Sequence, residues 1–200
     1  MENTIIILAA YLLGSIPSAL WIGKIFYQTD VRQHGSGNMG ATNTFRVLGK
    51  KAGIVVTLLD ILKGTAAVLL PLLPYFHETT IHPLLLGVAA VIGHIFPLFA
   101  NLRGGKAVAT SGGVLLGYNW PIFLLVVVTF LIALKLTKMV SLTSIIVSIL
   151  GPIYCLIYYL MTGDLYLFLV VTLMGFFIFY RHRANISRIK EGTEPKIKWL

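Results

Sequence analysis

The chain has 200 residues, of which 57% are hydrophobic and 12% are charged. Soluble domains carry about 25% charged residues, so this composition excludes an ordinary soluble protein and predicts an integral membrane protein. The single cysteine, Cys155, excludes an intramolecular disulfide and a CxxC metal or redox site. The formal net charge is +9, but the sequence contains no DNA- or RNA-binding motif, so no nucleic-acid partner is expected.

Apolar segments follow one another along the whole chain. A helix needs about 20 apolar residues to cross a bilayer. The sequence predicts seven such helices, at 4–23, 54–74, 81–100, 107–118, 120–134, 139–160 and 164–180. The fourth and fifth are short, and a polar turn separates them. No positive residue precedes the first segment and no cleavage site follows it, so we interpret it as a retained helix. No domain boundary is apparent, and residues 1–200 are predicted to form one transmembrane domain.

Basic residues are distributed unequally between the ends of these helices. With seven passes and the N-terminus outside, the outer segments are residues 1–3, 75–80, 118–121 and 161–164, and none contains Lys or Arg. All 16 Lys and Arg residues then lie on or just inside the other face, which the positive-inside rule makes cytoplasmic. The predicted fold class is an all-α integral membrane protein of about seven transmembrane helices, two of them short, with the N-terminus outside and the C-terminus cytoplasmic.

The first polar segment, residues 34–46, is rich in glycine and in neutral hydrogen-bonding side chains. Glycines permit positive φ and expose backbone amides, which can form an anion-binding nest. Arg46 adds a planar guanidinium that suits phosphate. The alternative is a flexible connector, which would not need so many polar residues beside the membrane. Candidate ligands here are Gly35, Ser36, Gly37, Asn38, Thr42, Asn43 and Arg46.

The second polar segment, residues 93–106, ends the third span and leads into the fourth. Its Gly-Gly-Lys sequence before a helix is well placed for phosphate, because backbone donors and the helix dipole point at a ligand there. It is not a P-loop, because Ala100 and Ala107 stand where that motif has Gly and Ser/Thr. His94 is either a buried structural histidine or part of a site. Candidate ligands here are His94, Arg103, Gly104, Gly105 and Lys106.

The third polar segment, residues 181–194, begins where the last span ends. Arg181 and Arg183 are either an ordinary stop-transfer cluster or phosphate ligands. His182 and Asn185 are three residues apart, so on a continuing helix they share a face. That spacing favours a site over a stop signal alone.

Three further charged residues are given structural roles. Asp60 and Lys63 lie inside the second span, where an ionisable residue costs roughly 2.5–3.5 kcal/mol at the bilayer centre and usually has a partner. Their spacing allows them to pair with each other and to support the wall of the site. Glu194 is expected to hold the C-terminal segment by pairing with a basic residue.

The candidate residues include many cations and amides and few carboxylates. The three aspartates are too scattered for the Asp-rich motif of a magnesium-dependent phosphatidyl transferase, and no His-x-x-x-x-Asp acyltransferase dyad occurs. No His/Cys/Glu cluster has zinc spacing. This composition suits a phosphate-bearing substrate at the membrane surface and chemistry without a metal.

Together the motifs closely resemble those of the PlsY family of bacterial acyl-phosphate:glycerol-3-phosphate acyltransferases. The resemblance lies in residues 35–43 (Gly-Ser-Gly-Asn-Met-Gly-Ala-Thr-Asn), 93–97 (Gly-His-Ile-Phe-Pro), 104–106 (Gly-Gly-Lys) and 181–186 (Arg-His-Arg-Ala-Asn-Ile), and it extends to length, motif order and spacing. This sequence departs from the family at Ala107, where Gly is usual. A methyl group is tolerated there if the local φ is negative.

The resemblance implies a reaction and its partners. A fatty acyl group would pass from a long-chain acyl phosphate to the 1-hydroxyl of glycerol 3-phosphate, giving 1-acyl-glycerol 3-phosphate (lysophosphatidic acid) and inorganic phosphate. This is the first step of phospholipid biosynthesis. It implies a bacterial cytoplasmic membrane, a site facing the cytoplasm, contact with membrane lipid, and functional coupling to an enzyme that makes acyl phosphate. No cofactor is expected.

The resemblance also implies roles for individual residues. Arg46 and Lys106 would hold phosphate groups, and His182 is a candidate general base, with His94 or a substrate phosphate as alternatives. The catalytic set is Ser36 (as a ligand rather than a nucleophile), Arg46, Lys106, His182 and Asn185. The substrate-binding set is Gly35, Gly37, Asn38, Thr42, Asn43, His94, Arg103, Gly104, Gly105, Arg181 and Arg183. The structural set is Asp60, Lys63 and Glu194, and no metal ligand is expected.

Two other functions fit part of the sequence. An anion or phosphate-ester transporter would also have many spans and cationic glycine loops, but transporter sites lie near the midplane between repeated halves. No repeat is evident here. An intramembrane serine protease would use Ser36 and His94. Its nucleophile would have to lie near a histidine inside a span, whereas Ser36 lies in a polar loop.

Overall fold

The computed structural model describes residues 1–197, which form ten α-helices, four short 3-10 turns and no β-strand. The helices are α1 Glu2–Ser15, α2 Ser18–Tyr27, α3 Ala41–Leu48, α4 Lys50–Leu69, α5 Pro83–Ile95, α6 Val108–Tyr118, α7 Trp120–Thr137, α8 Val140–Thr162, α9 Leu165–Arg181 and α10 Arg183–Lys190. The 3-10 turns are Val31–Gln33, Leu70–Leu72, Pro74–Phe76 and Leu98–Ala100. The chain divides into two compact units, Met1–Tyr118 and Asn119–Leu200. The single domain expected over 1–200 stays a prediction.

Within the described residues, four helical segments are long and apolar enough to cross a membrane by themselves. The number rises to six if each of the bent pairs α1–α2 and α9–α10 forms one span. The apolar helix α6 has 11 residues and is too short to cross alone. These seven segments coincide with those predicted from the sequence, and the all-helical membrane class is confirmed. The number of crossings and the sides of the termini stay predictions.

The first span is broken, whereas the sequence predicted one helix over 4–23. α1 ends at Ser15, and α2 leaves it at an angle of 45°. Pro17 explains the break, because it has no N–H and its ring clashes with the carbonyl four residues earlier. The Nζ atom of Lys63 in α4 donates to the Ile16 carbonyl at 2.9 Å. A charged side chain thus satisfies a backbone acceptor at the break.

Glycines bring the helices of the first unit into close contact. A side chain at Gly14 or Gly93 would overlap the facing backbone in the α1–α5 pair. One at Gly64 or Gly113 would do the same in the α4–α6 pair. Small residues at membrane helix contacts allow this approach, in which van der Waals packing and hydrogen bonds hold the helices together. The four helices provide a close-packed support for the polar segments at their ends.

The second unit contains α7, α8, α9 and α10. Pro152 lies inside α8 and removes the hydrogen bond that the Ser148 carbonyl would otherwise accept. Gly175 of α9 packs against that carbonyl, where a side chain would not fit. Thr129 of α7 and Tyr154 of α8 share a hydrogen bond of 2.9 Å. Backbone approach and side-chain hydrogen bonds therefore hold these helices as well.

The fifth predicted span is not short. The sequence predicted 15 apolar residues over 120–134, but α7 has 18 residues and reaches Thr137. Lys135 lies in its last turn, where a lysine can place its aliphatic stem along the helix and its ammonium group in water. The helix ends at Lys138, which adopts the left-handed conformation with φ +56°. Only the fourth predicted span is therefore short.

Candidate active site

Asn43 organises the first polar segment. Its Oδ1 accepts the Ser36 amide at 2.8 Å, and its Nδ2 donates to the carbonyls of Val31 at 2.8 Å and His34 at 3.1 Å. The side chain is 1% exposed and lies in α3, a helix that the sequence reading treated as part of a glycine loop. Asn43 thus fixes the path of the loop, and its predicted role as a substrate ligand stays a prediction.

Two glycines of this loop have backbone angles that favour glycine. Gly35 has φ +61° and Gly37 has φ +68°, both in the left-handed region. A Cβ on Gly35 would also overlap Oδ1 of Asn43. Oδ1 of Asn38 accepts the Gly40 amide at 2.9 Å, which closes the turn into α3. The loop therefore has a defined conformation.

The exposed side chains of this segment, glycines apart, are His34, Ser36, Thr42 and Arg46. Arg46 lies in the last turn of α3, which projects its guanidinium from a helix. Just before the segment, Asp30 accepts three hydrogen bonds from the Arg32 side chain, two of them from Nε, and one from the Arg32 amide. The side-chain bond from Arg32 is the main cause that lowers the pKa of Asp30 from 3.8 to about 2. Asp30 remains charged at neutral pH and anchors the loop entrance.

The second polar segment turns back along the end of α5. The Gly104 amide donates to the Ile95 carbonyl at 3.1 Å, and the Gly105 amide donates to the His94 carbonyl at 3.2 Å. Side chains at either glycine would overlap His94 or its neighbouring backbone. Contact with α5 therefore explains why these positions require glycine. Their two amides already bond to carbonyls, so a phosphate here would need other donors.

Lys106 follows this turn, and Ala107 leads into α6. A methyl group at Ala107 was expected to be tolerated if the local φ were negative. The φ of Ala107 is +59°, so this condition is not met. Asn101 and Leu102, with φ +54° and +57°, also adopt the left-handed conformation. Such angles cost about 1–2 kcal/mol for a residue with a Cβ. The segment that carries Arg103 and Lys106 is thus tightly turned and partly strained.

Asp60 and Lys63 form a buried ion pair at 2.9 Å on α4. The same Asp60 oxygen, Oδ1, accepts the Ser18 hydroxyl at 2.9 Å and lies 3.8 Å from Nδ1 of His94. Met39 and Gly105 line a small cavity with these four side chains. The structure therefore brings the first and second polar segments together next to this cluster.

The third polar segment lies in the second unit and bends at His182. α10 leaves α9 at 54°, so the segment does not continue α9 as one straight helix. The Nδ1 atom of His182 lies 2.7 Å from the Ile178 carbonyl, which can only accept, so Nδ1 is the donor in this contact. The Arg183 guanidinium lies 4.6 Å above the Tyr180 ring. Arg181 ends α9 and is half-buried.

Glu194 holds the segment after α10. Its two carboxylate oxygens accept hydrogen bonds from Nδ2 of Asn185 and Nε of Arg188, each at 2.7 Å. Burial raises the pKa of Glu194, but the hydrogen bonds to its carboxylate lower it more, so the pKa lies below the ordinary 4.5. The basic partner of Glu194 is Arg188, and Asn185 makes a structural contact as well.

Sequence reasoning missed Ser18, Met39 and Arg188 as contributors to these arrangements. Pro17 was a local signal for the break that presents Ser18 to Asp60. Met39 and Arg188 carried no such signal, because their contacts depend on how the loops fold. Residues 1–197 contain no group of three or more His, Cys, Asp or Glu side chains that could hold a metal ion.

The chain is similar to known proteins over almost all of its length. The family model for glycerol-3-phosphate acyltransferase matches residues 4–192. This chain belongs to that family. Glycerol-3-phosphate acyltransferases of Bacillus velezensis and Bacillus subtilis are each 57% identical to it over 200 residues, covering all of both chains in each case. The enzyme of Listeria monocytogenes is 56% identical over 195 residues, covering 96% of each chain.

Two crystal structures of the family have the same fold. One is PlsY (YgiH), an integral membrane glycerol 3-phosphate acyltransferase, in its glycerol 3-phosphate form, with TM-score 0.88 and 34% identity over 98% of this chain and 96% of that one. The other is PlsY in its lysophosphatidic acid form, with TM-score 0.85 and 32% identity over the same shares. The resemblance to the PlsY family is confirmed, and the chain is a multi-pass bacterial membrane protein.

Proposed function

We propose that this chain transfers a fatty acyl group from acyl phosphate to the 1-hydroxyl of glycerol 3-phosphate. The products are 1-acyl-glycerol 3-phosphate and inorganic phosphate. The observation that carries the proposal is the meeting of two glycine-rich, cationic segments beside one small cavity, in a chain of this family. The relatives crystallised with glycerol 3-phosphate and with lysophosphatidic acid support the acceptor and the product.

The chemistry needs positioning and charge neutralisation more than a covalent intermediate. The acceptor oxygen attacks the acyl carbon, the bond from that carbon to the phosphate oxygen breaks, and phosphate leaves. Arg46 and Lys106 would bind the phosphate groups and stabilise the charge that develops on the leaving phosphate. Ser36, whose amide is held by Asn43, would orient a substrate from the loop surface.

A proton must also leave the acceptor hydroxyl. His182 is the first candidate base, because the Ile178 carbonyl fixes its ring through Nδ1, so that a neutral imidazole would take the proton at Nε2. His94 is less suited to this role, because its Nδ1 faces Asp60 and its Nε2 faces Gly105. In a third route, an oxygen of the leaving phosphate takes the proton directly, which balances the reaction without a protein base.

We place the site at the cytoplasmic face of a bacterial cytoplasmic membrane. The basic residues of the three polar segments support this orientation under the positive-inside rule. Acyl phosphate is a reactive mixed anhydride, so functional coupling to the enzyme that produces it follows from the donor.

The direct test uses purified protein in detergent with a long-chain acyl phosphate and glycerol 3-phosphate. Phosphate release should match formation of the monoacyl product, acyl-CoA should not replace the donor, and a chelator should have no effect. Activity that prefers acyl-CoA or disappears with chelator would contradict the proposal. Movement of glycerol 3-phosphate into liposomes without turnover would indicate a transporter instead.

Arg46→Ala should lower turnover by at least about a hundredfold, because it removes a fixed donor to charge that develops in the transition state. Cys155→Ala is the matched control. That side chain is fully buried and has no proposed role, so its loss should leave the rate close to wild type. An inactive Cys155→Ala variant with wild-type stability would point to a thiol mechanism.

A further inference from the structure

Four polar side chains lie buried inside the first unit, beneath the second polar segment. They are Ser18, Asp60, Lys63 and His94, hereafter the Asp60 cluster, and each is at most 6% exposed. They come from three helices: α2, α4 and α5. Ionisable groups at such depth are costly, so they are usually retained for a function.

Every contact of the Asp60 carboxylate in this cluster is made through Oδ1. That oxygen accepts from the Ser18 hydroxyl and from Nζ of Lys63, each at 2.9 Å, and faces Nδ1 of His94 at 3.8 Å. Lys63 also donates to the Ile16 carbonyl at 2.9 Å. One carboxylate thus links the break in the first span to the end of α5.

Stability alone is a poor explanation for this arrangement. A buried ion pair can often be replaced by apolar residues of similar volume at little cost or with a gain in stability. An apolar pair could not satisfy the freed Ile16 carbonyl, and it could not hold the imidazole of His94 by charge. The charges therefore specify positions that packing alone would leave open.

His94 connects the cluster to the Gly-Gly-Lys turn. Its carbonyl accepts the Gly105 amide at 3.2 Å. Its ring lies against Gly105 so closely that a Cβ there would overlap Nε2. A rotation or shift of His94 would consequently move Gly105 and the adjoining Lys106.

We propose that Asp60 is a positioning residue that acts through His94 to set the place of Lys106. Lys63 balances its charge and ties it to the break at Pro17. This inference rests on the proposed function, in which Lys106 binds phosphate, and it adds that the geometry of Lys106 is determined in the membrane interior. A displacement of about 1 Å at a reacting centre can cost on the order of a hundredfold in rate.

The test compares three altered proteins with wild type. The first combines Asp60→Asn with Lys63→Met, which removes both charges without leaving either one unpaired. The second is His94→Gln, and the third combines all three changes. Thr65→Val is the matched control, because it removes an interhelical bond from α4 to the Gly113 carbonyl without touching the cluster. The readouts are kcat/KM for glycerol 3-phosphate and the thermal unfolding midpoint in detergent.

The first two variants should each lose about tenfold or more in kcat/KM. Because both act on the same turn through His94, the triple variant should lose no more than the worse of the two. Thr65→Val should keep the wild-type kcat/KM. Losses that multiply in the triple variant, or wild-type kinetics in the Asp60–Lys63 variant, would overturn the proposal.

A second readout does not depend on turnover. The rate at which a small amine-reactive probe modifies Lys106, followed by mass spectrometry, should change in the Asp60–Lys63 variant and in His94→Gln. The exposed Lys51 on α4 should react at an unchanged rate and serves as the internal control. If wild type shows no acyl transfer, the proposed function fails, while this measurement still decides whether Asp60 positions Lys106. Unchanged Lys106 reactivity in both variants would overturn that role.

Discussion

The turn that carries Lys106 has an alanine, Ala107, in a backbone conformation that favours glycine. Ala107 is almost fully buried and has φ +59°, a conformation that glycine adopts freely and alanine does not. The first helix-type bond of α6 begins here, since the Ser111 amide donates to the Ala107 carbonyl at 2.8 Å. The strain therefore lies between the phosphate-binding candidate and the helix that supports it.

Ala107→Gly should raise the free energy of unfolding by about 1 kcal/mol, because it relieves the left-handed strain. Thermal unfolding in detergent measures the effect. Ala109→Gly in the first turn of the same helix is the control and should lower stability, by at most about 1 kcal/mol, since glycine is a poorer helix residue than alanine. Equal losses in both variants would show that the turn at Ala107 carries no strain.

Asn43, which the sequence predicted as a substrate ligand, also holds its own loop in place. Asn43→Asp keeps the acceptor for the Ser36 amide but loses both donated bonds. It also places a carboxylate oxygen against two carbonyls. With about 1 kcal/mol for each lost bond, the free energy of unfolding should fall by about 2 kcal/mol or more.

Asn38→Asp is the control for this change. Its side chain makes one bond within the described residues, as an acceptor of the Gly40 amide, and a carboxylate preserves that bond. Thermal unfolding should therefore show a clear loss for Asn43→Asp and little change for Asn38→Asp. A similar small change in both would mean that the loop does not depend on Asn43.

At the residue scale, the sequence identified the chemical types but not their partners. Glycine and asparagine in residues 34–46 indicated a polar loop, which is present. The bonds from Asn43 to Val31 and His34 could not be inferred, because they depend on a fold-back across about ten residues. Gly104 and Gly105 were predicted to allow approach of a ligand, and the structure adds that they allow the close approach of α5.

At the scale of elements, the span pattern was well predicted and its interruptions were not. Apolar runs identified seven segments because lipid requires continuous apolar surface. The runs continue through Pro17, so hydropathy alone concealed the break between α1 and α2. The bend at His182 was missed for a different reason, since no proline or glycine lies there.

The segment after α10 provides a pH-dependent prediction. The pKa of Glu194 is lower in the folded protein than in the unfolded chain, so its contribution to stability is present above about pH 4.5 and is lost as the pH falls through the folded pKa. Glu194→Gln imitates the protonated form. The variant should melt below wild type at pH 7, and the difference should shrink towards pH 4 and below.

Thermal unfolding of both proteins across this range checks the prediction. Glu191→Gln is the control, because Glu191 is exposed and bonds to the Ser187 hydroxyl on the surface. Its difference from wild type should be small at every pH. A Glu194→Gln difference that grows as the pH falls would contradict the assignment.

For the whole molecule, orientation in the membrane is the main prediction that follows from charge. With Cys155→Ala as background, a cysteine placed at Glu78 should react with a membrane-impermeant maleimide in right-side-out vesicles. One placed at Lys51 should react only in inside-out vesicles. Both positions are exposed, so accessibility within the fold does not limit either reaction. The opposite pattern would reverse the proposed orientation.

Class and family could be predicted for the whole molecule because composition and three motifs are properties of the chain itself. The Asp60 cluster could be predicted only in part. The spacing of Asp60 and Lys63 indicated their pairing, but Ser18 and His94 are brought to Asp60 by packing between helices, which no local pattern encodes. Residues near each other in space but distant in sequence account for most of what was missed.

The bond from Lys63 to the broken first span also has a consequence for biosynthesis. Chains emerge from the ribosome N-terminus first. The Ile16 carbonyl and the Ser18 hydroxyl are therefore already in the membrane when Asp60 and Lys63 arrive, and they can receive two charged side chains that would resist insertion alone. The first span can thus offer bonding partners to the two charges of α4 during insertion. In a chain that begins after residue 28, Asp60 and Lys63 would have to enter the lipid without the first span as a partner.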